Sequence, residues 1–365
     1  MSPSGPETQA SVPPTGAAGA GGLAFTSSRQ FESWLAEVGA SLALTTYQAG
    51  KLIFIGLGET GRLSIFERSI DRCMALHAQG DDLWVSSIWQ LWRFRAVPGA
   101  PDGAYRAHDR LYTPRQSWVT GDLDIHDLEL DPGGRPIFAN TLFSCVGTVS
   151  DTDSFVPLWQ PRFISRLSPE DRCHLNGMTL RDGAVAYATA VGACDAADGW
   201  RDHRASGGVV IDGPSGEVVA SGLSMPHSPR LHEGRLWLVN AGTGELGVLD
   251  PATGQFDPVA FCPGFMRGLS FIGPWALVTL SLPRNNQSFR GLPLDDRLIA
   301  ANVAARCGVM VIDTRSGAVA HWLRIEGAVT ELFDVVALPG VRRPAAIGFR
   351  SDEVRRILSV GSANA

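Results

Sequence analysis

Residues 227–262 read HSPRLHEGRLWLVNAGTGELGVLDPATGQFDPVAFC. The stretch divides into four short apolar runs, HSPRL, RLWLVN, LGVLD and FDPVAF, and each junction carries a glycine. Glycine supplies the positive φ that tight turns need, and an Asp opening such a turn bonds back onto its backbone. Four strands joined by hairpins in so short a span make one complete antiparallel sheet.

The same phrase recurs. MALHAQGDDLWVSS, HDLELDPGGRPIFAN, NGMTLRDGAVAYAT and RGLSFIGPWALVTL each place an apolar strand, a glycine turn and a second apolar strand in succession. Their turn glycines, with that of the first stretch, are Gly80, Gly133, Gly183, Gly234 and Gly273, and a looser copy ends at Gly340. The first four intervals are 53, 50, 51 and 39 residues. A second element, two apolar residues followed by Asp-x-x-Ser/Thr-Gly, appears at VIDGPSG (210–216), VLDPATG (248–254) and VIDTRSG (311–317) and predicts hairpin tips. Four-stranded units at roughly 40–50 residue intervals are the mark of a β-propeller. Six units fit, with the strands of 41–67 closing the ring beside the C-terminal unit. The competing architecture is a long β-sandwich, or two.

Composition agrees. The 365 residues include 41 Gly and 23 Pro, which favours short strands and tight turns. Residues 1–24 are nearly all Pro, Gly, Ala, Ser and Thr and are expected to be a disordered tail, with 25–365 a single propeller domain. A short helix is predicted over 29–38, capped by Ser27 or Ser28, with Phe31, Trp34, Leu35 and Val38 on one face. A net charge of −6 without a basic cluster argues against nucleic acid, and no apolar run is long enough to span a bilayer. Six Cys without a C-x-x-C pair, and no secretory signal, point to a soluble cytoplasmic protein. There is no G-x-S-x-G, P-loop or H-E-x-x-H, so serine hydrolase, nucleotide hydrolase and zincin chemistries lack their usual support.

The repeat frame selects candidate site residues. Seven positions before each turn glycine stand Cys73, His126, Asn176, His227 and Met266, at the start of the inner strand where it meets the central channel. His174 lies two residues before Asn176, so strand alternation places both on one side. Glu331 holds a similar place in the last copy. His126, His174, His227 and Asn176 are therefore candidate metal ligands, because neutral imidazoles suit Fe, Cu, Mn or Zn. The competing roles are binding of a polar ligand and hydrogen bonding to channel water, and a register slip of one residue would turn any of them into the blade. Arg230 and Arg267 could clamp a substrate carboxylate, and Asp124 and Asp127 could orient the His126 ring. Two long insertions, 192–207 and 283–306, both join a second to a third strand and so share a face as rim loops.

The phrases FTSSRQFESWLAEVGASLALTTYQAGKL (25–52), TGDLDIHDLEL (120–130), FVPLWQPRFISRLSPEDRCHLNGM (155–178), GLSMPHSPRLHEGRLWLVNAGTGELG (222–247) and ELFDV (331–335) resemble a bacterial family of conserved hypothetical proteins. The six-unit layout is similar, more distantly, to propeller lactonases and gluconolactonases. That resemblance implies an axial divalent cation with carboxylate and Asn ligands, and Asn176 looks like one of the Asn positions. Histidines at two matching positions depart from it and disfavour Ca²⁺. They are more similar to propellers with a multi-histidine iron or manganese centre.

The sequence thus leads to an all-β six-bladed propeller whose axial site is built by His126, His174 and His227, with Asn176 as a further ligand and Arg230, Arg267 and Glu331 as catalytic candidates. The expected activity is that of a metal-dependent oxygenase, lyase or hydrolase, iron foremost, acting on a small molecule or peptide side chain. The alternative is a non-catalytic propeller that binds a ligand or protein through its rim loops.

Overall fold

In the computed structural model, which describes residues 17–19, 22–97, 103–283 and 291–361, the first-quoted stretch folds as read. Its strands are Pro226–His232, Arg235–Asn240, Glu245–Asp250 and Gln255–Phe261, paired antiparallel in that order. The Asp-x-x-Ser/Thr-Gly elements are hairpin tips. In each the glycine N–H returns to the Asp carbonyl at 2.8 Å, and Gly216, Gly254 and Gly317 take φ of 69°, 72° and 72°.

Six sheets of this kind stand in a ring, their inner strands neighbouring one another around a central channel. Blade 1 is closed by both ends of the described chain: Val335–Pro339 supplies its inner strand, pairing antiparallel with Ala40–Thr45, and Lys51–Leu57 and Leu63–Ser69 complete it. Blades 2, 3 and 4 begin at the inner strands Leu76–Gln79, Ile125–Leu130 and Leu175–Arg181. The 227–262 stretch belongs to blade 5, and blade 6 begins at Phe265–Ile272. Hydrogen bonding between distant segments closes the ring, and the six inner strands remain as short edges protected inside the channel.

The second strands are the most deeply buried, because they have blades on both faces; Ala40–Thr45 and Pro136–Asn140 are buried throughout. Hydroxyls near the ends of these strands stitch each blade to the next: Thr141 to the Leu175 carbonyl at 2.5 Å, Ser281 to that of Leu332 at 3.0 Å, and Thr45 to that of Met74.

The N-terminal expectations need adjustment. Leu23–Ser27 is a strand on the outer edge of blade 6, and Ala17–Gly19 pairs with it; residues 1–16 and 20–21 lie outside the described residues. The helix runs Phe31–Val38, with Phe31, Trp34 and Leu35 buried, and it is not capped by a serine side chain. The Ser28 hydroxyl instead accepts the Trp322 N–H at 3.3 Å, because the preceding residues are committed to the sheet. Residues 284–290 of the second rim loop are also outside the described part; beyond them Pro293–Ala300 is a helix. No helix among the described residues is long and apolar enough to cross a membrane.

Candidate functional site

The loops leading into the inner strands decide where the polar side chains go. Asp124, His174 and Met225, each nine residues before its turn glycine, take left-handed φ of 54°, 51° and 48°. Tyr47 and Asp171 do so as well, at 54° and 42°. None is glycine, and bulky residues pay a steric cost in that region unless their surroundings hold them there. All five line one cavity of about 180 Å³ at one mouth of the channel, with His126, His227, Trp200, Arg201, Phe265, Arg267 and Phe333. Backbone strain and unpaired imidazole nitrogens therefore coincide.

The left-handed turns also orient the histidines. In blade 3 the Asp124 carbonyl accepts from His126 Nδ1 at 2.8 Å, and in blade 5 the Met225 carbonyl accepts from His227 Nδ1 at the same distance. His126 Nδ1 also lies 2.8 Å from the Thr141 oxygen, whose own proton goes to Leu175. His174 Nδ1 donates to Asp171 Oδ2 at 2.9 Å. With Nδ1 committed as a donor in each ring, Nε2 is the nitrogen left over, and among the described residues none of the three meets a protein partner. Burial pushes His126 down to about 4. Burial, then the Arg267 charge, pushes His227 well below the ordinary imidazole value. Both are neutral near pH 7. Burial alone would raise the Asp171 carboxyl, but His174 and the Trp200 N–H hold it below the usual range.

The His126 and His174 rings meet edge to face at 4.9 Å, and His174 stacks on Trp200 at 4.1 Å. His227 packs against Phe265 at 5.8 Å. Among the described residues no three His, Cys, Asp or Glu side chains are grouped closely enough to hold a metal ion as they stand.

Asn176, Arg230, Asp127 and Glu331, all selected from the sequence, do not line this cavity. Asn176 is buried in the bulge of its strand, its Oδ1 accepting from Thr189 at 2.9 Å, and it does not line the cavity. The alternation that paired it with His174 fails because His174 sits in the left-handed turn before the strand begins. Arg230 faces the opposite channel mouth, in a second cavity of about 370 Å³, and grips both Asp127 oxygens at 2.8 Å. Asp127 is thereby taken from any role beside His126. Arg267 does reach the site, but its guanidinium already holds Glu331 at 2.7 Å, and both are buried. Glu331 itself does not line the cavity. Of the rim loops, 192–207 contributes Trp200 and Arg201, while the described part of 283–306 packs against blades 5 and 6 through Leu292, Leu294 and Leu298. Tyr47, Asp171, Trp200, Phe265 and Phe333 escaped the sequence reading; the echo Asp-Arg-Cys at 71–73 and 171–173 was the signal nearest to Asp171.

A family profile covering residues 29–347 matches this chain. The chain belongs to the DUF4915 family, a domain of unknown function. No curated protein matches it. Among solved structures, a chain of the nidogen/laminin complex is 13% identical with a TM-score of 0.52, over 82% of this chain and 98% of that one. A protein of unknown function from Bacteroides caccae is 11% identical with a TM-score of 0.48, over 82% and 98%. Streptogramin B lyase is 12% identical with a TM-score of 0.41, over 86% and 87%. At such identities the likeness concerns the fold alone.

Proposed function

We propose that this DUF4915 chain is an enzyme that acts on a small molecule in the axial cavity, with a divalent transition metal as its cofactor. The observation that carries the reading is the set of three imidazoles, from three successive blades, whose Nδ1 atoms are anchored and whose rings line one strained, largely buried cavity. Anchored, neutral imidazole is the donor chemistry that Fe, Cu, Mn and Zn accept, and carboxylate or carbonyl partners behind the ring are its usual support. His126 and His174, already in ring contact, would hold the ion, and His227 is the third donor the cavity offers. Bound there, the metal would supply Lewis acidity, or oxygen activation if it is iron or copper.

The rest of the chemistry belongs to the chain. Charged side chains of both signs line the cavity, Arg201 and Arg267 with Asp124 and Asp171, so it suits a small polar ligand. The aromatic walls of Tyr47, Trp200, Phe265 and Phe333 limit water, and about 180 Å³ admits only a small molecule or the tip of a side chain. Iron is the first candidate metal.

The test is elemental analysis of protein purified without chelator or nickel resin, beside the variant His126→Ala/His174→Ala/His227→Ala. Near-stoichiometric metal that disappears from a still-folded variant is the expected result. Protein that neither carries metal nor binds added Fe, Cu, Mn or Zn would remove the metalloenzyme reading.

A further inference from the structure

His126 and His227 are oriented by the carbonyl of a left-handed residue two positions back. In blade 4 the imidazole itself occupies that left-handed position, so the backbone device is not available to His174. Its place is taken by a side chain. Asp171 Oδ2 accepts from His174 Nδ1 at 2.9 Å and from Trp200 Nε1 at 2.8 Å, while the Trp200 ring covers the imidazole face. Trp200 belongs to the short helix Gly199–His203 of the first rim loop.

That loop is tied to the segment before His174 at further points. The Asp198 N–H donates to the Glu170 carbonyl at 2.9 Å, and Arg172 donates to Asp195 at 2.6 Å. Arg172 also holds the Glu170 carboxylate at 2.8 Å, and Asp195 accepts the Ser165 N–H at 3.1 Å. Residues 170–172 and 174 are thus each bonded or stacked to something in 195–200 or to one another.

We infer that Asp171 is a positioning residue, held by Trp200 of the rim loop, that commits His174 to the Nδ1–H tautomer and aims its Nε2 into the cavity. On this inference the insertion 192–207 builds the site. The inference rests on the axial cavity being the imidazole site, but its test does not need a metal or a substrate.

The experiment is proton–nitrogen correlation NMR of the imidazole rings in the full chain, with His174→Ala to assign the signal. Wild type is expected to show His174 protonated on Nδ1. In Asp171→Asn, a residue that tolerates the left-handed backbone, Trp200 keeps the amide oxygen in the place of Oδ2, and the NH₂ takes the place of Oδ1, 3.1 Å from His174 Nδ1, where it meets any proton on that nitrogen. His174 should then shift to the Nε2–H tautomer while His126 and His227 keep theirs. Trp200→Phe preserves the stack but frees one bond to Asp171, and a mixture of tautomers is expected. If Asp171→Asn does not fold, Trp200→Phe carries the test. An unchanged His174 tautomer in a folded Asp171→Asn variant, or in Trp200→Phe when that variant stands alone, overturns the inference. A Co²⁺ titration run in parallel should show affinity roughly 10–100-fold weaker in Asp171→Asn. Failure of wild type to bind Co²⁺ would count against the metal reading and leave the tautomer result standing.

Discussion

The two mouths of the channel are made by the same inner strands, often by adjacent residues, and they are opposite in character. His126 faces one cavity and its neighbour Asp127 serves the other; His227 and Arg230 part in the same way three residues apart. Bulges at Ile125/Asp127 and His227/Arg230 accomplish the division, since an extra residue re-aims the side chains on either side of it. At the imidazole mouth three ring nitrogens have no partner among the described residues. At the other mouth the charges are consumed internally. Arg230 of blade 5 binds Asp127 of blade 3 and the carbonyls of Met178 in blade 4 and Leu269 in blade 6, while Asp334 accepts the Leu76 N–H at 3.0 Å and joins blade 1 to blade 2. One end keeps imidazole nitrogens facing a cavity, and the other spends its charges on cohesion.

The comparison breaks if the charged end proves dispensable. Arg230→Ala leaves Asp127 buried and unpaired and should cost about 3–5 kcal/mol. His227→Ala, beside a cavity that water can enter, should cost about 1–2 kcal/mol. Chemical denaturation of the two variants checks the order, and equal losses would erase the distinction.

The pH dependence of stability sharpens it. Burial raises Glu129 and Asp334 to about 7, so their contribution is full below the ordinary carboxylate values and is lost as pH rises through 7. Burial lowers His126 to about 4, so its contribution is present above the ordinary 6.5 and is lost as pH falls toward 4. His77, also lowered to about 4, lies at the charged mouth but acts in the same direction as His126. His227, lowered as well, joins the two histidines, so three imidazoles oppose two carboxylates over one window and the wild-type profile should rise only gently with pH there. Glu129→Gln should tilt it upward with pH by about 2 kcal/mol across the window, and His126→Ala should tilt it the other way. Melting temperatures at a series of pH values measure both slopes.

The smallest effect is expected at Thr141, which accepts from His126 and donates to the Leu175 carbonyl. Thr141→Val should cost about 1 kcal/mol in stability. It should loosen the His126 ring without moving its neighbours, which ring-proton NMR would report as line broadening confined to His126.

Much of this was legible in the chain. Strand, turn and hairpin tip are local events, so Gly80, Gly183, Gly234 and the Asp-x-x-Ser/Thr-Gly elements revealed the blades through their spacing. The repeat also brought His126 and His227 to one place, since equivalent residues of successive blades must face the same axis. It failed at Asn176, and the nearness of Arg230 to His227 in the chain misled in the same way, because a bulge or a left-handed residue changes a side chain's direction without changing its place in the sequence.

By itself, then, the sequence determined the six-blade ring, its closure by strands from both ends and the axial convergence of imidazoles, all consequences of periodic backbone geometry. Only the tertiary structure decided which mouth each polar residue faces and what stands behind each ring. Asp171, Trp200, Tyr47 and Phe333 come from segments with no shared spacing, and they meet through ring closure and a folded-back rim loop.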